Sequence, residues 1–546
     1  MSDTNPLPAA EMVQALLHFL HRVLEAEHQQ NADARALWLE AATTLHPLDA
    51  RSVDRLMLAL ITHRQHDDAV KLTGMIAQLD PKSAAAQARL GYALQVANRP
   101  HDALAPYRRA LAMDPNFRHL RKNLAIAIHA SGGNAIDEMT LLEHAVIADP
   151  KDAGAWINLS DAARRCLNLE RALSAGHHAV ELDPHSAAAR NNFAQALKEG
   201  QYWDDAEQQF AIACRLAPNN ASLHTALAAL RLLRGNFEAG WPGYEARWHD
   251  ADNMRRAPLP VFPAPRWRGE PLAGKTLLVW GEQGMGDLLQ FCRFVPILAE
   301  RVHREGGALT WDAFPQMGAL LSRSFGESID RYSGAKDVAA LPPFDYELPL
   351  VSIPLMLGTR EATIPSHVPY LHADRRKVDA WRERLAAEPR LKVGLAWTGS
   401  RGHGRNRFRS VGWQRYAAAF RETVDAAFFS LQPDAQDDIA AAANAGLAIA
   451  DHTREFASFD DTAAYIGALD LVITVCTSVA HLAGALGQRT WVLLDVNPYW
   501  PWMLERHDSP WYPTAKLYRQ STFADWDDVL DEVDGDLRAL AAQVRR

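Results

Sequence analysis

Prolines at positions 47, 81, 115, 150, 184 and 218 divide the first part of the chain into units of 34, 34, 35, 34 and 34 residues. Four of them close the runs LDP at 79–81, MDP at 113–115, ADP at 148–150 and LDP at 182–184. A unit of this length holds two antiparallel helices that cannot bury their apolar faces alone. Stacked units can, so the period predicts an α-solenoid. The residues inside the units agree. Leu90, Gly91, Ala103, Tyr107 and Ala110 alternate bulky and small side chains in one unit, and Trp156, Leu159, Ala172 and Ala179 do so two units later. Ala206, Phe210 and Ala213 repeat the pattern in the next. The 35-residue unit carries its extra residue near Gly132–Gly133 and has Glu138 where Ala is usual, so its inter-helix turn is expected to be distorted.

The period with a closing proline is the tetratricopeptide signature. The concave groove of such a solenoid takes an extended peptide or a partner protein, or else the array serves as a spacer or dimerisation arm, which leaves a homo-oligomer open. The solenoid is expected over residues 1–248. Its last half-unit, Asn236 to Trp248, presents aromatics that cap it against the next domain. Residues 249–271 hold Pro258, Pro260, Pro263, Pro265 and Pro271, a stiff extended linker.

Beyond the linker the pattern changes from helical to strand–loop–helix. Leu277 to Trp280 form an apolar run, Gly281, Gly284 and Gly286 come after it, and Leu288, Leu289, Phe291, Cys292 and Val295 return at helical spacing. This half-unit builds doubly wound parallel sheets, with glycines where backbone approaches a ligand and helix N–H groups free for an anion. Asp287 opens that helix, as its cap or as a base facing a cleft. A first parallel-sheet domain is expected over 272–375. A second, over 376–546, starts with the strand Leu391 to Trp397 and the loop TGSRGHGRNRFRS, in which Arg401, Arg405, Arg407 and Arg409 suggest an anion site. Its last unit runs strand, turn Thr477 to His481, helix and strand. Asp534-Gly-Asp536 falls in an acidic terminal helix and belongs to the surface. Trp500, Trp502, Trp511 and Tyr512 are expected to close the core.

The remaining totals exclude more than they select. A net charge of −9 over 546 residues offers no basic excess for nucleic acid. The four cysteines form no CxxC pair, no apolar run is long enough to span a membrane, and the N-terminus lacks a secretory pattern, so the expected location is cytoplasmic.

The runs WPGYEARW, PRW, GEQGMGDLLQF, GLAWTGS, SLQ, TSVAHLAGALG and DSPWYP together resemble bacterial tetratricopeptide proteins carrying a glycosyltransferase family 9 domain. That domain is similar to heptosyltransferases, and the layout resembles, more distantly, the O-linked N-acetylglucosamine transferases. The resemblance implies GT-B architecture: two Rossmann-like domains facing a cleft, a nucleotide-diphosphate sugar as donor, and no bound metal or other cofactor. It makes Asp287 the base beside Gly284 and Gly286. It gives donor contacts to Gly284, Gly286, Thr398, Arg405, Arg407, Gln432, Cys476, Thr477, Ser478, Val479 and His481. Cys476 stands where related sequences have Asp, and a thiol cannot accept two charge-assisted hydrogen bonds. The acceptor is expected on a protein held by the repeats. The alternatives are a non-catalytic scaffold with a degenerate transferase domain, and a transferase acting on lipopolysaccharide.

Overall fold

The computed structural model describes residues 10–250, 260–282, 284–335, 337–400 and 402–544. Residues 251–259 of the expected linker, with Pro258, and Arg401 of the arginine loop lie outside the described residues. The chain divides into two compact units, Met1–Ala196 and Leu197–Arg546.

Residues 10–250 are helical, in paired helices of tetratricopeptide type. Helices pair as Ala50–Thr62 with His66–Leu79, Ala84–Val96 with Pro100–Met113, and onward at the sequence period through Ala221–Leu233 and Phe237–Tyr244. Side chains of Asn31, Asp49, Ser83, Asn134, Asp152, Asn168, Asn220 and Asn236 accept amide hydrogen bonds at helix starts. Within each pair one residue adopts positive φ: Gln30, Arg64, Asn98, Gly132, Leu167, Gln201 and Gly235. This left-handed residue lets the next amide reach back over the helix end, as Arg99 N does to Leu94 O at 2.9 Å.

The longer repeat differs from expectation in one respect. Its turn is not distorted: Gly132 N donates to His129 O at 3.0 Å and Gly133 N to Ile128 O at 2.8 Å, as in the other repeats. The extra residue falls between Gly132 and the helix Ala135–Ala148, where it lengthens the link without disturbing the hydrogen bonds. Glu138 is buried; its Oε1 accepts from Arg165 at 2.6 Å, which also holds Asp161 at 2.8 Å, while its Oε2 lies 3.5 Å from His129 Nδ1.

The second unit carries two parallel sheets. In the first, β1 (Thr276–Trp280), β2 (Ala308–Asp312), β3 (Arg331–Ser333) and β4 (Tyr346–Pro349) lie in the order β3-β2-β1-β4. In the second, β5 (Leu391–Ala396), β6 (Ala426–Ser430), β7 (Ile449–Ala450), β8 (Leu471–Val475), β9 (Thr490–Leu494) and β10 (Ala515–Arg519) lie in the order β10-β9-β8-β5-β6-β7. The strand order reverses between β1 and β4 and again between β5 and β8, and a crevice opens at the carboxyl ends of such strand pairs. The described part of the proline-rich stretch runs beside β4: Arg266 bridges to Glu347, and Trp267 is buried. The cap residue Trp241 is also buried, donates from its indole to Thr359 O at 2.9 Å, and meets Trp500 edge-on. Trp500, Trp502, Trp511 and Tyr512 are all core residues. Asp534 and Asp536 are held by Arg538 and Lys516 respectively. Among the described residues no helix is long and apolar enough to cross a membrane.

Candidate functional site

Both switch points open onto one cleft of about 970 Å³ within the second unit. Gly284, Gly286 and Asp287 line it from the loop and helix after β1; Thr398, Arg405, Arg409 and Gln432 line it after β5 and β6. Cys476, Thr477, Ser478, Val479 and His481 line it after β8. The last repeats contribute Thr225, Tyr244 and Arg247. Arg407 is exposed and is not part of the lining.

Asp287 lies in the first turn of the helix Met285–Phe291. The Tyr499 hydroxyl donates to its Oδ1 at 2.8 Å. Burial pushes its pKa up to about 6; the Tyr499 hydrogen bond and the Arg247 charge oppose this, and the Glu282 charge adds to it. Burial and the adjoining Asp287 charge hold the Tyr499 phenol well above its ordinary pKa, so it remains a donor. A Cβ on Gly284 would collide with Asp287 Oδ2, so only glycine leaves that oxygen its place. Glu282 is spent structurally: it accepts from Arg247 at 3.0 and 3.2 Å and from Val351 N at 3.0 Å.

Opposite, Thr477 caps the helix Ser478–Ala485, its hydroxyl accepting from Val479 N at 3.2 Å. This helix packs on Met285–Phe291 through Gly286, where a Cβ would come within 3.2 Å of the His481 ring. His481 is a buried wall residue. Burial, then the Arg293 and Arg409 charges, lowers its pKa to about 3, so the imidazole is neutral; it hydrogen-bonds Tyr512 at 2.9 Å and stacks on Trp502. Cys476 is 5% exposed, and its sulfur accepts from the Trp502 indole at 3.1 Å.

The 398–410 loop is fastened by Asn406, which donates to Thr398 Oγ1 at 2.9 Å and accepts from Gly399 N at 2.9 Å. Gln432 accepts from Thr398 N at 3.2 Å. Arg405 faces two carboxylates, Glu199 at 2.5 Å and Asp495 at 3.0 Å. Arg409 donates to Cys476 O at 2.7 Å and to Asn406, both neutral acceptors, so its positive charge stays available to an anion. Tyr499, Asn406, Asp495 and Glu199 are additions that sequence spacing does not reveal. Arg409 is visible in the arginine loop, but nothing in the local sequence separates it from its neighbours.

The chain thus joins a tetratricopeptide solenoid to a pair of doubly wound parallel sheets with a cleft lined by carboxylate, guanidinium and hydroxyl side chains among apolar surface. No protein-family model matches it. It is similar to Protein FlbA of Caulobacter vibrioides, 27% identical over 451 residues that make up 77% of this chain and 72% of that protein. Solved structures with similarity include Pseudomonas aeruginosa pilF, 17% identical over 38% of this chain and 92% of that one, with a TM-score of 0.33. Another is a thermophilic TPR protein of Thermus thermophilus, 23% identical over 32% of this chain and 92% of that one, with a TM-score of 0.27.

Proposed function

We propose that this protein is a metal-independent glycosyltransferase of GT-B architecture and family 9 type. It moves a sugar from a nucleotide diphosphate to an acceptor hydroxyl, on a protein bound by the repeats. The observation that carries the reading is the meeting of Asp287 with the Thr477–His481 turn on one cleft. Asp287 Oδ2 takes the proton of the acceptor hydroxyl while that oxygen bonds to the anomeric carbon and the bond from carbon to diphosphate breaks. The electron pair of the broken bond leaves with the diphosphate. Arg409 and the N–H groups opening the helix Ser478–Ala485 face the charge that develops there. With a pKa of about 6, Asp287 is ionised at pH 7.5 yet more basic than an exposed aspartate. Thr225, Tyr244 and Arg247 in the lining favour an acceptor delivered by the repeats.

A thermal-shift screen of nucleotide sugars identifies the donor, because a ligand of the folded state raises its stability by mass action. Asp287→Asn should then bind that donor while transfer falls by about 10²–10⁴-fold. Unchanged transfer would remove Asp287 from the mechanism. A second reading, a scaffold with a degenerate cleft, is favoured by the burial of Cys476 Sγ against Trp502. On that reading Cys476→Asp raises affinity for the same donor; a switch of preferred donor would instead mean altered specificity.

A further inference from the structure

The geometry points to Asp495 as the residue that reads the ribose diol of the donor, held in place by Arg405 and, through it, by Glu199 of the repeats. This rests on the proposed donor site. Asp495 directly succeeds β9 and lines the cleft, although its side chain is only 4% exposed. Its Oδ1 accepts from Asn497 N at 3.1 Å and its Oδ2 from Arg405 at 3.0 Å, which leaves each oxygen a further lone pair.

Glu199 makes this arrangement unusual. It ends the helix Ala187–Glu199, where the helix dipole disfavours a negative charge, and its side chain is fully buried. Both its oxygens approach Arg405, at 2.5 and 3.3 Å. One guanidinium therefore reaches two carboxylates, tying Asp495 to the end of the repeat helix. The remaining lone pairs of Asp495 suit hydroxyl donors. The same cleft offers a cation and helix N–H groups in Arg409 and the helix start at Thr477–Ser478. The two regions together orient a nucleotide: diphosphate against Arg409 and the helix, ribose hydroxyls against Asp495. A carboxylate accepting a vicinal diol in charge-assisted hydrogen bonds is the chemistry that recognises ribose elsewhere in doubly wound folds.

The test compares ADP, GDP, CDP and UDP with their 2′,3′-dideoxy counterparts by calorimetry on the full chain. Wild type should favour the ribose form of the nucleotide it binds by tenfold or more. Asp495→Asn should bring that ratio close to one, and Glu199→Gln should lower it part of the way. The ratio is the proper readout because loss of a negative charge alters the binding of both forms equally, and a purely structural role for the triad would leave the ratio unmoved. A wild type that binds a diphosphate without distinguishing the dideoxy form overturns the assignment of Asp495 and leaves the donor site standing, whether or not the variants fold. So does an unchanged ratio in Asp495→Asn. Binding of none of the eight nucleotides overturns both.

Discussion

Asp287 is a carboxyl whose ionisation the fold opposes. Its pKa rises from the ordinary 3.8 to about 6, mainly because burial disfavours the charged form. Between those values the folded state binds more protons than the unfolded one, so stability falls as pH rises through that window. Asp287→Asn should therefore gain about 1–3 kcal/mol over the parent at pH 8 and nothing at pH 3.5, as denaturant midpoints at the two pH values would show. On the proposed mechanism transfer should run the other way: a base must be ionised, so the rate should drop as pH falls through about 6, a limb visible in a pH profile of kcat/KM. Much of this residue's setting was open to sequence reading, since the strand, the glycines and Asp287 succeed one another. Its partner was not, because Tyr499 lies 212 positions away. The arginine loop shows the same limit. The short helix Asn406–Arg409, with Arg405 as its cap, brings Arg405 and Arg409 into the cleft lining and leaves Arg407 outside it. Residues four apart share a helix face, and one two apart from each does not, but that phase can be read only once a helix is known to form there.

At the scale of elements, the repeat was legible because each 34-residue unit states its own closing proline and small residues, and the α/β strands because they are apolar runs beside glycine. The turn geometry was not. Leu167 holds the left-handed position taken by glycine at Gly132 and Gly235, with φ of 62°, and is 44% exposed. A left-handed conformation strains a side chain with a Cβ, and little burial is at stake at this position. Leu167→Gly should thus stabilise the solenoid by about 0.5–1 kcal/mol, seen as a higher denaturant midpoint; a fall would mean that the Leu167 side chain matters more than its backbone. The contact between the helices Met285–Phe291 and Ser478–Ala485 likewise has no local sign in sequence, since Gly286 serves equally well as a loop residue. It is this contact that brings the two switch points together.

For the whole molecule, the joining of a tetratricopeptide solenoid to two doubly wound sheets fits the proposed function if one cleft receives the donor from the sheets and the acceptor from the repeats. The cleft lining already mixes the three sources, with Thr225 and Tyr244 from the last repeats, Asp287 after β1 and Thr477 after β8. Arg247 binds Glu282 and Glu245 at 3.0 and 2.6 Å, so the repeat end is fastened to the loop that precedes Asp287. The most direct measurement is backbone hydrogen exchange with and without the nucleotide sugar found by the thermal-shift screen. Slower exchange is expected together in residues 284–291, 398–410 and 477–482. Protection confined to one of the two sheet domains, or absent from all three segments, would contradict a donor held between them.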